Sequence, residues 1–121
     1  MTLPQTAYSF GLKAESLAVA FLTLNNYEIL KKRYRTPYGE IDIIARSDRM
    51  IVCVEVKARH TLSAGMHAIG HQQRKRIMNA YLHFIQTHLE YANDPVRFDV
   101  IVCAPNSKPL HIQHAFESDN E

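Results

Sequence analysis

No apolar run in this chain is long enough to cross a bilayer. The longest, Leu17 to Leu22, covers six residues, against the roughly 20 that a spanning helix needs. The N-terminus also lacks a basic region followed by an apolar stretch, the pattern of a secretory signal. Together these absences point to a cytoplasmic protein with no membrane partner. Cysteine is scarce too: Cys53 and Cys103 each lie inside an apolar, strand-like run. That setting suits reduced, buried thiols and requires no disulfide, although a sheet could bring the two face to face. Without a cysteine pair beside them, the His67/His71 and His111/His114 pairs fall short of the ligand count of a zinc site and read as surface histidines. Repeats and low-complexity segments are missing as well. What remains is one ordered domain over residues 1–116, followed by an acidic, frayed tail over 117–121. At 121 residues and 46% hydrophobic content, the chain can bury a core without staples.

The net charge of +2 hides an asymmetry. Three of the twelve acids, Glu117, Asp119 and Glu121, fall in the last five residues, so residues 1–116 carry fourteen bases against nine acids. Residues 31–76 hold eleven Lys or Arg against four acids. A basic field around an acidic pocket suits a polyanionic substrate together with a cation.

Periodicity predicts a helix over 6–25 with Phe10, Ala14, Leu17, Phe21 and Leu24 on its buried face, ended by Asn25-Asn26. A first strand is expected over 27–34 and a turn at Thr36-Pro37-Tyr38-Gly39. The second strand (40–46) and third (50–59) follow, joined by a turn short enough to force antiparallel pairing. Residues 60–70 read as a mobile loop. A long helix over 72–91 buries Ile77, Tyr81, Phe84, Ile85 and His88 or Leu89. A fourth strand covers 96–104, and 110–116 adds a short edge strand or turn. This order predicts an α/β fold, a small mixed β-sheet with helices on both faces, and allows a crossover that sets strands three and four parallel.

The chemistry concentrates in strands two and three. Glu40 and Asp42 stand two apart, as do Glu55 and Lys57. Alternate residues of a strand share a face, so a hairpin would gather three carboxylates and one ammonium on one patch. In strand three, Val52, Val54 and Val56 alternate with Ile51, Cys53, Glu55 and Lys57, which makes the strand central. Two readings stand side by side. Glu55 and Lys57 form a weak surface pair at a solvated strand end, or Asp42 and Glu55 offer the hard oxygens that Mg²⁺ prefers, with Lys57 stabilising developing negative charge. Glu40, nearer the turn, fits an outer position. Glu15 has no charge partner at helical spacing; it either reaches solvent from the stripe's edge or enters the same pocket. Arg74, Lys75 and Arg76 oppose the dipole at a helix start, a repulsion that a phosphate would relieve and that a solvated turn would also tolerate.

Gly11-Leu12-Lys13-Ala14-Glu15, Tyr27-Glu28-Ile29-Leu30, Gly39-Glu40-Ile41-Asp42-Ile43-Ile44-Ala45, Val54-Glu55-Val56-Lys57-Ala58-Arg59 and Arg97-Phe98-Asp99-Val100 resemble the bacterial YraN-type family of predicted endonucleases. That family is itself similar to archaeal Holliday-junction resolvases within the PD-(D/E)XK nuclease superfamily. The resemblance spans roughly residues 8–116 and implies a restriction-endonuclease-like core. It further implies Asp42 and Glu55 as ligands of Mg²⁺ or Mn²⁺, the Val56 backbone carbonyl as another ligand, Lys57 as the catalytic lysine and Glu15 as a helix-borne acid. A homodimer is the expectation that comes with resolvases, which cut two strands symmetrically. Two departures stand out: Gln73 where the family often has lysine, and Arg33 where it tends to have asparagine.

The expected activity is therefore metal-dependent hydrolysis of DNA phosphodiester bonds, with branched or junction structures among the substrates and water as nucleophile. Lys31, Lys32, Arg33, Arg35, Arg59, Gln73, Arg74 and Lys75 are the expected nucleic-acid contacts. The alternative is a nucleic-acid-binding module that keeps the nuclease fold without cleaving. The sequence leaves DNA against RNA open.

Overall fold

Five strands occupy the sheet in the order in which the chain makes them: β1 (Glu28–Thr36), β2 (Gly39–Ser47), β3 (Met50–Ala58), β4 (Val96–Cys103) and β5 (Leu110–Phe116). These come from a computed structural model that describes residues 7–65 and 70–117. Two hairpins make β1, β2 and β3 antiparallel, β4 lies parallel to β3, and β5 returns antiparallel to β4. Parallel neighbours need a crossover, and helix α2 (His71–Thr87) supplies it; helix α1 (Ala7–Leu24) precedes the sheet. The result is an α/β fold with the mixed sheet and flanking helices of a restriction-endonuclease-like core. The valine alternation of β3 reads as expected. Ile51 and Cys53 join Ile77, Ala80 and Phe84 of α2 in one core, while Val52, Val54 and Val56 join Ala14, Ala18 and Leu22 of α1 in the other. Each fully buried aliphatic or aromatic side chain is worth about 1.5–3 kcal/mol.

Several expectations need correction. The buried spine of α1 is Ala14, Ala18 and Leu22, whereas Leu17 is 40% and Leu24 83% exposed. Small residues four apart let the helix approach the sheet, so contact distance decided the face rather than side-chain hydrophobicity. Helix α1 stops where Asn26 takes the left-handed conformation (φ 68°), with the N–H of Tyr27 donating to the Leu22 carbonyl and that of Asn26 to Thr23. This is the double closure of a Schellman end. Helix α2 ends at Thr87, before a separate 3₁₀ turn over Leu89–Tyr91. His88 stacks on Phe84 at 4.3 Å, and Leu89 faces outward. Residues 110–116 form a full strand. Cys53 and Cys103 are free and buried in different cores, on opposite faces of the sheet, so they do not face each other. Within the loop expected over 60–70 a 3₁₀ turn covers Ser63–Gly65. Residues 66–69, with His67, and the tail beyond Glu117 lie outside the described residues.

Two local features lock this arrangement. At the β1–β2 turn, the Thr36 hydroxyl accepts from the N–H groups of Tyr38 and Gly39 and donates to the Gly39 carbonyl. Gly39 then abuts the backbone of α2: a Cβ at this position would land on the carbonyl of Arg76. Further along the sheet, Asp99 is the one fully buried charged residue among the described residues. Its oxygens accept both arms of the Arg97 fork (2.8 and 2.7 Å) and the His114 backbone N–H (2.9 Å), and one lies 2.7 Å from His111 Nε2. His111 is thus a largely buried partner of Asp99 rather than a surface histidine. Arg97 also donates to the Tyr27 hydroxyl at 2.7 Å. His114 adopts φ 55° beside the register shift of the β4–β5 ladder, which is how its N–H turns toward the carboxylate. Burial alone would raise the Asp99 pKa, but the hydrogen bonds from His111, Arg97 and His114 outweigh it and hold the carboxyl below its ordinary value.

Gly39→Ala should lower stability by about 2–3 kcal/mol, as overpacking against a fixed backbone does. The urea midpoint should fall at an unchanged m-value; an unaltered midpoint would show that α2 does not bear on this glycine. Asp99→Asn should cost about 3–5 kcal/mol at pH 7, the penalty for breaking a buried pair. Because the folded pKa is depressed, the wild-type contribution is complete above the unfolded value of about 3.9 and is lost as pH falls through the lower folded value. Urea midpoints measured down the acid range should therefore drop for wild type below about pH 4 and stay flatter for the variant.

Candidate active site

The site arises where one ladder stops. Pairing of β2 with β3 runs from Ser47–Met50 to Ile43–Val54 and goes no further, while β2 stays paired with β1 to Gly39. At the same place the two-residue alternation of β2 breaks: Ile41 and Ile44 pack in the α2-side core, Ile43 and Ala45 in the α1-side core. Asp42 occupies the break. Its Oδ2 accepts the Val56 backbone N–H at 2.8 Å, so a side chain takes over where strand pairing has ended. Glu55 follows Cys53 to the α2 side of β3. The two carboxyl groups influence each other across the opening, where the Asp42 charge raises the Glu55 pKa. They meet through a gap in the sheet, not on one face of a regular hairpin as simple alternation predicted.

Burial is the main cause raising both carboxyl pKa values. For Asp42 the charges of Glu15 and Glu40 add to the rise, and the Val56 N–H opposes it. For Glu55 the Asp42 charge adds and the Lys57 charge opposes, leaving Glu55 pushed up to about 8. The Lys57 ammonium is 3.8 Å from Glu55 Oε1, and both side chains are largely buried. Gln73, in the first turn of α2, connects them. Its Nε2 donates to Glu55 Oε1 at 2.7 Å, and its Oε1 accepts from Lys57 Nζ at 3.0 Å. The glutamine departure thus sits at the centre of the site.

Cavities of about 400 Å³ open on both sides of this pair. On the α1 side Glu15, Lys32, Arg33 and Asp42 line one; on the α2 side Glu40, Glu55, Gln73 and Arg76 line the other. Glu15 lines the α1-side cavity with Asp42 and has a partner from another element: Arg33 Nε donates to its Oε2 at 2.7 Å. Sequence spacing along the helix could not reveal a bond across eighteen residues. Arg33 adopts φ 50°, a left-handed conformation that asparagine tolerates far better than arginine, which gives the asparagine departure a backbone meaning. Glu40 is more than half exposed and lies 3.6 Å from Arg35, in keeping with its outer position.

The expected basic contacts divide. Lys32, Arg33 and Arg35 line cavities with Asp42, and Lys31 is exposed on the same edge strand. Arg59 is exposed just beyond β3, its Nη1 bonded to the Ala58 carbonyl. Arg74 and Lys75 line a separate groove with Met78, Leu82 and Glu117, so the structure does not bring them to the carboxylates. Arg76, absent from the expected contacts, is the helix cation at the site. Its signal is present in the three-residue basic run, but only the position of α2 selects among the members. The Asp99 network is equally invisible to spacing, because its partners come from β4, β5 and the chain leaving α1. Among the described residues no three Asp, Glu, His or Cys side chains form a ready metal-ligand group, and no helix is long and apolar enough to cross a membrane.

Comparison with known proteins gives the lineage. Residues 14–103 match the model of the "Uncharacterised protein family UPF0102". The UPF0102 protein bll0669 of Bradyrhizobium diazoefficiens is 45% identical over 112 residues, covering 93% of this chain and 84% of that protein. The UPF0102 protein mlr4633 of Mesorhizobium japonicum is 42% identical over 116 residues, covering 96% and 93%. A UPF0102 protein of Granulibacter bethesdensis is 44% identical over 111 residues, covering 92% and 70%. With matches of this extent lying over the Asp42, Glu55 and Lys57 segments, the chain belongs to family UPF0102, the YraN family.

Proposed function

We propose that this protein is an endonuclease that hydrolyses DNA phosphodiester bonds with Mg²⁺ or Mn²⁺ as cofactor. The observation that carries the reading is the meeting of Asp42 and Glu55 at the end of the β2–β3 ladder, with Lys57 3.8 Å from Glu55. Two carboxyls that burial and each other's surroundings push toward the neutral form are costly as a charged pair, and a divalent cation is the group that removes this cost. The donor set fits a hard cation: Asp42 and Glu55 would hold it, with the Val56 carbonyl as the further candidate ligand. Mg²⁺ needs only one or two carboxylates when water and substrate phosphate complete its shell. Such a cation supplies Lewis-acid polarisation of the phosphate and a more acidic water.

The chain's own residues have distinct tasks. Asp42 is fixed by the Val56 N–H. Gln73 holds the Lys57 ammonium and the Glu55 carboxyl through one amide, so neither can rotate away independently. Lys57 places a positive charge beside the acidic pair, where negative charge would develop on a phosphate during attack. Lys31, Lys32, Arg33 and Arg35 on β1, with Arg76 on α2, provide a basic border for the backbone of the substrate. A homodimer of this chain would suit symmetrical cutting of branched DNA. A nucleic-acid-binding module that does not cleave has one observation in its favour, the lack of a third acidic or imidazole group converging with the pair among the described residues.

The discriminating assay incubates purified protein with Mg²⁺ or Mn²⁺ on supercoiled, linear and four-way-junction DNA. Wild type should cut at least one of these, and Glu55→Ala and Lys57→Ala should each reduce the rate by about 100-fold or more. Cleavage equal in all three proteins would remove the catalytic assignment, and binding without cleavage under both metals would favour the module. A metal-free stability measurement tests the electrostatics separately. Since the folded pKa of Glu55 is raised to about 8, its destabilising charge appears as pH rises from the unfolded value of about 4.3 through 8. Glu55→Gln should therefore gain about 1–2 kcal/mol over wild type at about pH 9 and nothing at about pH 4. An equal urea midpoint in the alkaline range would contradict a desolvated Glu55.

A further inference from the structure

Four tyrosines of the described residues are engaged. Tyr27 accepts from Arg97, the Tyr34 hydroxyl is 2.6 Å from His83 Nδ1, Tyr81 packs edge-on against Phe98, and Tyr91 stacks on Phe84. Tyr38 differs. It is 66% exposed, and its ring makes no hydrogen bond, ring contact or cation contact with any described residue. Yet the backbone beneath it is among the most constrained in the molecule. Pro37 fixes one torsion, the Thr36 hydroxyl ties the N–H groups of Tyr38 and Gly39, and Gly39 is wedged against the Arg76 carbonyl. An aromatic ring with no ring or cation partner among the described residues is thus held in the open on a stiff turn.

The turn leads straight into the site. Gly39 begins β2, Glu40 and Arg76 line the cavity of about 410 Å³ shared with Glu55 and Gln73, and Arg35 lies 3.6 Å from Glu40. We propose that Tyr38 is a base-stacking platform beside the site, and that the substrate carries an unpaired nucleobase close to the phosphate at Lys57. This rests on the nuclease reading and narrows it to nucleic acid with a single-stranded segment, such as a gap or flap. In an intact duplex both faces of each internal base are already stacked, so a ring on a rigid turn finds a free face only where pairing is interrupted. Aromatic–base stacking is tolerant of sequence, so the selectivity is for structure.

The test is binding in metal-free, low-salt buffer, where no cleavage enters. Two probes are used: a fully paired duplex, and the same duplex with a short single-stranded gap containing 2-aminopurine. Wild type should bind the gapped probe more tightly and quench the 2-aminopurine. Tyr38→Ala should weaken gapped-probe binding by about 5- to 100-fold, the effect of losing one stack, abolish the quenching and leave duplex affinity unchanged. Tyr38→Phe should behave as wild type. Equal loss on both probes, or no loss on either, overturns the proposal while leaving the cleavage reading intact. A sedimentation coefficient that shifts in Tyr38→Ala assigns the ring to a contact between chains and overturns it as well. Failure of wild type to bind either probe sinks both readings.

Discussion

The end of hydrogen bonding between β2 and β3 at Ile43–Val54 is the constraint on which the candidate site depends. Had the ladder continued, Asp42 and Glu55 would stand as cross-strand partners on one face, and the strands would leave no space between them. Because it stops, Asp42 enters the vacated position, captures the Val56 N–H and meets Glu55. Its carboxyl then borders the α1-side cavity while Glu55 borders the α2-side one, so the pair can be approached through the sheet. The backbone donor released by the missing pairing is satisfied by a carboxylate, so the opening carries little hydrogen-bonding cost. Its cost is electrostatic, and it falls on two acids held close together away from bulk water.

An opening in a sheet persists only if its surroundings are rigid. Gly39 allows α2 to lie directly on the start of β2, which brings Gln73 and Arg76 to the gap. Further along the sheet, the fully buried Asp99 binds β4 to β5 and, through Arg97 and Tyr27, to the chain leaving α1. Helix α1 in turn carries Glu15, which engages Arg33 on the edge strand. Each neighbour of the gap is thereby fixed by a contact that lies outside it, the condition for holding reactive groups at a set distance. Arg33 keeps a left-handed backbone in the middle of a strand, a conformation that persists only where tertiary contacts impose it.

The alternating valines of β3, the acids within apolar strands and the turn signals suffice to read the sheet, the centrality of β3 and the grouping of Asp42, Glu55 and Lys57 from sequence. What stays hidden depends on distance in space. Leu17 and Leu24 look like core by hydrophobicity, but the two alanines of α1 set the closer approach. Alternation puts Glu40 and Asp42 on one patch with Glu55, because period two assumes an unbroken strand. Spacing along α2 likewise does not tell which cation among Arg74, Lys75 and Arg76 faces the site. The packing of Gly39 on the Arg76 backbone decides it.

Calorimetric titration of Mn²⁺ into metal-free wild type, Asp42→Asn and Glu55→Gln at neutral pH tests the central claim most directly. Wild type should bind one ion per chain with release of a proton, as a cation displacing the proton that Glu55 holds at neutral pH requires, and each variant should lose that binding. Equal binding by all three proteins, or none by wild type, would contradict the account.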